Sequence, residues 1–330
     1  MKNLFYLIIL IFVVTNLNAQ DVHLSQYYTS NQSLNPALTG VYKGDYRAVL
    51  NYRSQWRQVV DPITTSMFSL EKRLVHFTNE FGIGFILIND RLTTYGVNTN
   101  KFMLSGAYRK KLNKNTFGLG FQGGYVNRST DLNNQTFPGQ WNYGNGTFDP
   151  TISNNENTLQ ENKSYIVLNT GLFYSRQIGL KTFNFNYGLF NVNNPNYGFV
   201  SSKEKLPFRH VVVSNIQIPL NSSLSITPRL LYMTTQKASD IILSANALRK
   251  MNQDLSLMLG LGIRGGSVNS DAAIAYGGFN YKRFETGISF DFNLSQLSKD
   301  TPRKSVWEIS LIYTTPNRTI DKSTINCDRY

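Results

Sequence analysis

Between Phe117 and Arg128 large apolar side chains alternate with small or polar ones. Phe117, Leu119, Phe121 and Tyr125 fall on one face, and Gly118, Gly120, Gln122 and Gly124 on the other. A period of two sends successive side chains to opposite faces of an extended strand; a helix would scatter them around its circumference. The pattern returns at 81–89 (Phe81, Ile83, Phe85, Leu87), at 255–264 (Leu255, Leu257, Leu259, Leu261, Ile263) and at 284–293, where Phe284, Ile288, Phe290 and Phe292 oppose Gly287, Ser289 and Asp291. Weaker versions predict strands at 45–55, 64–73, 98–109, 165–177, 183–190, 208–218, 224–233, 240–248, 272–281 and 306–313. The sum is about fourteen strands, most of them ~9–11 residues long, the length a tilted strand needs to cross a bilayer.

The connections support the same architecture. After even strands the turns are tight and basic: Lys72-Arg73, Arg109-Lys110-Lys111 with Lys114, Arg176 with Lys181, Arg249-Lys250 and Lys282-Arg283. After odd strands the connections tend to be longer and more polar. The stretch 129–163 contains Phe137-Pro138-Gly139 and Trp141, and 191–206 contains Asn193-Asn194-Pro195-Asn196. Short turns on one side and long loops on the other characterise outer-membrane barrels. The face rich in Phe, Leu, Ile and Tyr is expected to meet lipid, and the face of small and polar residues to line a lumen. An open sheet edge cannot sit in hydrocarbon, so the sheet has to close. The expected fold class is therefore all-β, an antiparallel transmembrane outer-membrane β-barrel of about fourteen strands over residues 45–313, with a tail at 314–330. An even strand count places both termini on the periplasmic, short-turn side. The competing reading is a soluble barrel or sandwich, which does not require the alternation of loop lengths.

Residues 1–19 have the form of a secretory signal peptide, with Lys2, an apolar core from Leu4 to Val14 and Ala19 at the cleavage point. That core is shorter than the ~20 apolar residues of a spanning helix, and no long apolar run follows it. A mean hydropathy of −0.28 fits a soluble protein and a barrel alike, because only alternate strand residues face lipid. With one cysteine, Cys327, no disulfide forms within the chain; the thiol is either a spare surface group or an intermolecular link. The net charge of +13 suits anionic lipid or an acidic protein surface. Export argues against nucleic acid as the partner.

Residues 20–44 have no sustained period and, between Asp21 and Leu38, no further charged residue. Asn35-Pro36 reads as a turn, and Gly40 suits a positive φ where the chain reverses. Such a segment fits an irregular plug inside a lumen and an ordinary surface lead-in equally well. Its landmarks are Gln20-Asp21, Ser25-Gln26, Asn35-Pro36-Ala37 and Gly40, followed by Arg53, Gln55 and Trp56. In order and spacing they resemble the opening of the PorP/SprF family, with Val22, Leu24 and Ser54 where that family usually has Pro, Phe and Asn. The resemblance continues as strand periodicity to about Tyr313. It implies an outer-membrane barrel of the type IX secretion and gliding machinery of Bacteroidetes. The implied partners are a secreted adhesin with a type B C-terminal sorting domain, the ring lipoproteins of the secretion system, or both.

No catalytic constellation stands out, and no cofactor is expected. His23, His76 and His210 lie at no zinc-ligand spacing to one another or to Cys327. Gly260, Gly262 and Gly265-Gly266 lie on a strand and its loop and do not open a helix as a phosphate-binding loop would. Glu285, Asp291, Arg229 and Arg264 fall within strands and are expected to pair inside the lumen, because Arg facing lipid costs ~2–4 kcal/mol at the midplane. Two surfaces are candidates for partners. The loop around Phe137 and Trp141 offers aromatic anchors. The turns with Arg109, Lys110, Lys111, Arg249 and Lys250 form either a docking collar at the periplasmic rim or exposed turns that merely tolerate charge. A solute channel and an outer-membrane lipid enzyme are the alternatives to a protein-binding barrel.

Overall fold

The computed structural model describes residues 24–55, 62–131, 136–153, 161–199, 204–236, 238–266, 272–294 and 305–316. The expected signal peptide, Gln20, Asp21, His23, Trp56 and Cys327 lie outside the described residues. Fourteen strands close into one antiparallel barrel. They are β1 (Tyr46–Gln55), β2 (Ile63–His76), β3 (Asn79–Leu92), β4 (Val97–Leu112) and β5 (Asn115–Thr130), then, beyond a loop carrying a small hairpin of β6 (Trp141–Asn142) and β7 (Thr147–Phe148), β8 (Asn162–Ile178), β9 (Lys181–Phe190), β10 (Arg209–Pro219), β11 (Leu224–Thr234), β12 (Ser239–Lys250), β13 (Leu255–Gly266), β14 (Ala272–Tyr281), β15 (Phe284–Asn293) and β16 (Ser305–Thr314). Neighbours in sequence pair throughout the barrel, β5 pairs with β8 across the loop, and β16 returns to β1 in the register Arg47↔Thr314 to Gln55↔Val306.

The side-chain parity follows the sequence pattern. Phe121, Leu259 and Leu261 point outward with 61%, 70% and 72% of their surface uncovered. Large apolar exposure repeated around the whole wall is tolerable only where the solvent is lipid. Among the described residues no helix is long and apolar enough to cross a membrane.

Two details differ from the sequence expectation. β2 to β5 and β8 are 14–17 residues long, beyond the expected length. Their backbone pairing continues past the apolar belt, where outward residues turn polar and the periodic signal fades. The connection between β3 and β4 is also tight: Thr93–Tyr95 forms a 3-10 turn closed by Gly96 at φ 60°.

Four of the hairpins at the opposite rim have two-residue loops whose first residue has positive φ: Phe77 (53°), Asn113 (55°), Gly179 (57°) and Lys282 (54°). Such loops match the twist of the strands and favour Asn or Gly. Asn221 and Asn252 build the longer turns, each accepting backbone N–H bonds from the residues that follow, Leu224 at 2.8 Å and Leu255 at 2.7 Å. The first residue of β1 and the last of β16 lie on this short-turn rim. Leu24 does not. It packs against Met67, Ile86, Met103, Val126 and Val167, in the half of the lumen nearer the long loops. Residues 24–44 thus run along the lumen to the short-turn rim, where β1 begins.

Phe77 is a β-hairpin residue in a left-handed conformation with 89% of its surface exposed. Phe77→Asn is expected to stabilise the barrel by about 1 kcal/mol, seen as a higher denaturation midpoint in detergent micelles. An unchanged or lower midpoint contradicts the assignment of strain to this turn.

Candidate functional site

The site is the lumen and the segment that fills it. Residues 24–40 are buried against the inner wall except for half-exposed Tyr28, Asn31 and Ser33. Three sets of contacts hold the segment along its length.

At the long-loop end, the backbone N–H groups of Ser25 and Gln26 donate to the two carboxylate oxygens of Glu308, at 2.6 and 2.8 Å. The Gln26 side chain donates to the Glu308 carbonyl at 3.1 Å and accepts from Ser310 at 2.8 Å. Arg53 from β1 pairs with the same Glu308 carboxylate and donates to Ser25 Oγ at 3.2 Å. Ser25 Oγ in turn donates to Asp291 at 2.7 Å and accepts from Arg264, which pairs with Asp291 at 2.9 Å. Two cations and two anions, all nearly sealed from solvent, thus balance around one serine. Gln55, with its amide oxygen turned toward Arg53, accepts from Nε at 2.6 Å.

In the middle, Tyr27 and Leu34 enter a cluster with Phe190, Val211, Leu231, Ile242 and Tyr276. The Arg229 guanidinium lies 4.5 Å over the Tyr28 ring, a cation–π contact. Arg47 donates to the Thr29 carbonyl at 2.9 Å, and Gln122 to the Gln32 carbonyl at 3.2 Å.

At the short-turn end, Asn35 accepts from the Ala37 N–H at 2.8 Å and donates to the Leu172 carbonyl of the wall at 2.8 Å. Pro36 opens the 3-10 turn that follows, where its missing N–H costs nothing. Gly40, at φ 78°, donates its N–H to Glu71 at 2.7 Å. Arg109 then caps three carbonyls of the segment: Ala37 at 3.2 Å, Thr39 at 2.6 Å and Gly40 at 3.0 Å. The wall is shaved to admit this segment. A Cβ on Gly171 would stand 1.7 Å from Asn35 Oδ1, on Gly120 2.2 Å from the Ala37 nitrogen, and on Gly82 2.0 Å from the Thr39 oxygen.

The family model for the type IX secretion system membrane protein PorP/SprF matches residues 16–313. The chain belongs to the PorP/SprF family. The landmarks Ser25, Gln26, Asn35, Pro36, Ala37, Gly40, Arg53 and Gln55 are thus the parts of one lumenal assembly. No curated protein matches the sequence. Among solved structures, the Ralstonia pickettii toluene transporter TbuX aligns with a TM-score of 0.54 at 11% identity, covering 86% of this chain and 92% of its own. The P. putida toluene transporter TodX gives 0.53 at 11%, with 88% and 95% covered. A Pseudomonas aeruginosa FadL homologue gives 0.52 at 10%, with 84% and 92% covered. These likenesses show the fold, and with the family they place this PorP/SprF protein in the outer membrane.

The structure redistributes the residues expected at the two rims. Arg109 is not part of an exposed collar. It is buried in the lumen beside Glu80, because odd-numbered residues of β4 face inward. Parity alone would have found it, since Tyr108 next to it belongs to the outward apolar face. Lys110, Lys111, Arg249 and Lys250 are exposed at the short-turn rim. Glu285 is exposed as well and does not pair in the lumen, because it sits near the start of β15. Phe137 and Trp141 are half-buried within their own loop. Trp141 packs on Phe148 with ring centroids 4.9 Å apart, and Gln140 ties the strands of that hairpin to Asp149 and Ile152. The most exposed aromatic among the loop's described residues is Tyr143, at 91% against 45% for Phe148, and sequence reasoning missed it. Asp149 is held below the usual carboxylate range by hydrogen bonds from the Thr151 hydroxyl and N–H. Among the described residues no group of His, Cys, Asp and Glu could hold a metal.

Replacing Glu308 with Ala removes two backbone contacts of the segment and leaves Arg53 short of its buried partner. A loss of about 3–5 kcal/mol is expected, read as a lower unfolding midpoint with proteolysis appearing within residues 24–44. Gly171→Val is expected to expel the segment while the barrel keeps its heat-modifiable migration in gels. Full protection of residues 24–44 in this variant would contradict the tight seating described here.

Proposed function

We propose that this PorP/SprF protein is a non-enzymatic docking scaffold of the type IX secretion machinery. It supports export or surface attachment of a secreted adhesin with a type B C-terminal sorting domain. The observation that carries this reading is the fixed lumenal segment. The residues by which the family is recognised hold a plug in place, so the working surfaces are left to the rims. On the long-loop side, 136–153 forms a braced hairpin with Tyr143 at its tip, and Arg128 stacks over Phe199 at 4.8 Å to steady the second loop. Aromatic side chains on a pre-ordered loop give contact area at low entropic cost. On the short-turn side, Lys110, Lys111, Arg249 and Lys250 give a cationic edge suited to acidic surfaces of the ring lipoproteins.

A second reading takes support from the fold. The aligned structures are described as hydrocarbon channels and toluene transporters, and a barrel of this shape could pass a small solute. The lumenal segment weighs against it.

Replacing 136–153 with a short Gly-Ser linker, which leaves β5 and β8 whole, is expected to abolish co-purification of the adhesin from outer membranes while the barrel stays folded. Adhesin still captured by this variant would remove the long loop from the mechanism. Conductance or toluene uptake by the purified full chain in vesicles would shift the weight to the channel.

A further inference from the structure

A depression of about 620 Å3 lies on the outer wall of the barrel across β16 and β1 to β5. Its sides are the outward side chains Leu50, Tyr52, Phe68, Leu87 and Phe102. Ser66 sits in the row between Tyr52 on β1 and Asn89 on β3, and its short side chain opens the space. The wall behind it is intact. The pairs Leu50↔Phe68, Phe68↔Leu87 and Leu87↔Phe102 follow in unbroken register, and Met67, Ile86 and Met103 are packed from inside by Leu24. The depression therefore has a firm floor and no passage to the lumen, which separates it from any solute pathway.

One end of the depression is polar. Ser66, Asn89, Asn100, Asn127 and Ser164 stand side by side on five adjacent strands, all outward. They are tied together: Asn89 donates to Asn98 at 2.8 Å and to Asn100 at 2.7 Å, and Asn127 donates to Ser164 at 3.0 Å. The next row toward the long loops is Thr64, Arg91, Asn98, Ser129 and Asn162. Arg91 is the single charge in the two rows. Toward the short turns the outward residues are apolar: Phe68 and Leu70, Ile83 and Phe85, Leu104, Phe121. The strip thus marks the boundary between hydrocarbon and head groups on the long-loop side. Neutral amides and hydroxyls offer donors and acceptors together, which matches sugar hydroxyls and acyl amides; a head built around phosphate alone would call for a cluster of cations.

We propose that this depression binds one outer-leaflet glycolipid, with an acyl chain along Phe68, Leu87 and Phe102 and its sugar and amide groups on the Asn89–Asn100–Asn127 strip. The proposal needs only the outer-membrane barrel and stands apart from the adhesin reading. The test is native mass spectrometry of the full processed protein. After detergent exchange it is offered equal amounts of rough lipopolysaccharide and phosphatidylethanolamine. Wild type is expected to keep one lipopolysaccharide. Ser66→Trp fills the depression and is expected to weaken that binding by about tenfold or more. Asn89→Leu with Asn100→Leu leaves the apolar walls and is expected to lose the preference between the two lipids. Heat-modifiable gel migration checks that each variant is folded; if Ser66→Trp is not, the double variant decides. No preference in wild type, or full retention of lipopolysaccharide by the variants, overturns the proposal. A protein chain or a second copy found on this face in place of lipid also overturns it.

Discussion

Every part of this molecule follows from the cost of leaving a backbone N–H or C=O unpaired in hydrocarbon. A single exposed strand edge would carry a row of such groups, each costing several kcal/mol. The register from Arg47↔Thr314 to Gln55↔Val306 removes that edge by returning β16 to β1. Closure then divides the side chains into two solvents. Those facing out must satisfy lipid, and those facing in line a lumen whose polar groups need partners of their own.

The lumen meets that second demand with the chain's own amino-terminal segment. A polar wall that includes Arg47, Arg53, Arg109, Arg264, Glu71, Asp291 and Glu308 would be costly to bury unpaired. The segment provides backbone N–H groups for Glu308 and Glu71 and backbone carbonyls for Arg47 and Arg109. Charge on the wall is thus matched by peptide dipoles on the plug as well as by opposite charge on neighbouring strands. The glycines of the wall serve the same fit. Gly82 and Gly120 face inward where the segment's backbone lies against the sheet, and Gly171 where the Asn35 side chain does; no residue with a Cβ could stand there without moving them. The result is a firm body with little room for rearrangement inside. The docking and lipid-binding surfaces proposed above lie outside this body, on the rims, the loops and the lipid-facing wall.

The strand pattern was legible because period two is set by backbone geometry at each residue, independent of what the strand meets. Strands from β12 to β15 are bounded in the structure close to where the alternation of Leu257, Leu261, Ile288 and Phe290 placed them. The long strands were underestimated at their ends, where Asp90, Arg91, Lys110, Lys111, Ser129 and Asn162 carry no apolar mark although their pairing continues. The rim was misjudged at Arg109, because a run of basic residues in a turn was read by composition when its members alternate in direction.

By itself the sequence determined the all-β class, the closed antiparallel barrel and the family. Alternation, loop lengths and the motif from Ser25 to Gln55 are local and need no folded partner to be read. Only the tertiary structure decided between a plug and a surface lead-in. Ser25 and Gln26 meet Glu308 across a separation of more than 280 residues, and Asn35 meets Leu172 across 137. Nothing in a linear chain marks which carboxylate a serine will face. That pairing exists only once the sheet has closed and its inward side chains converge on one axis.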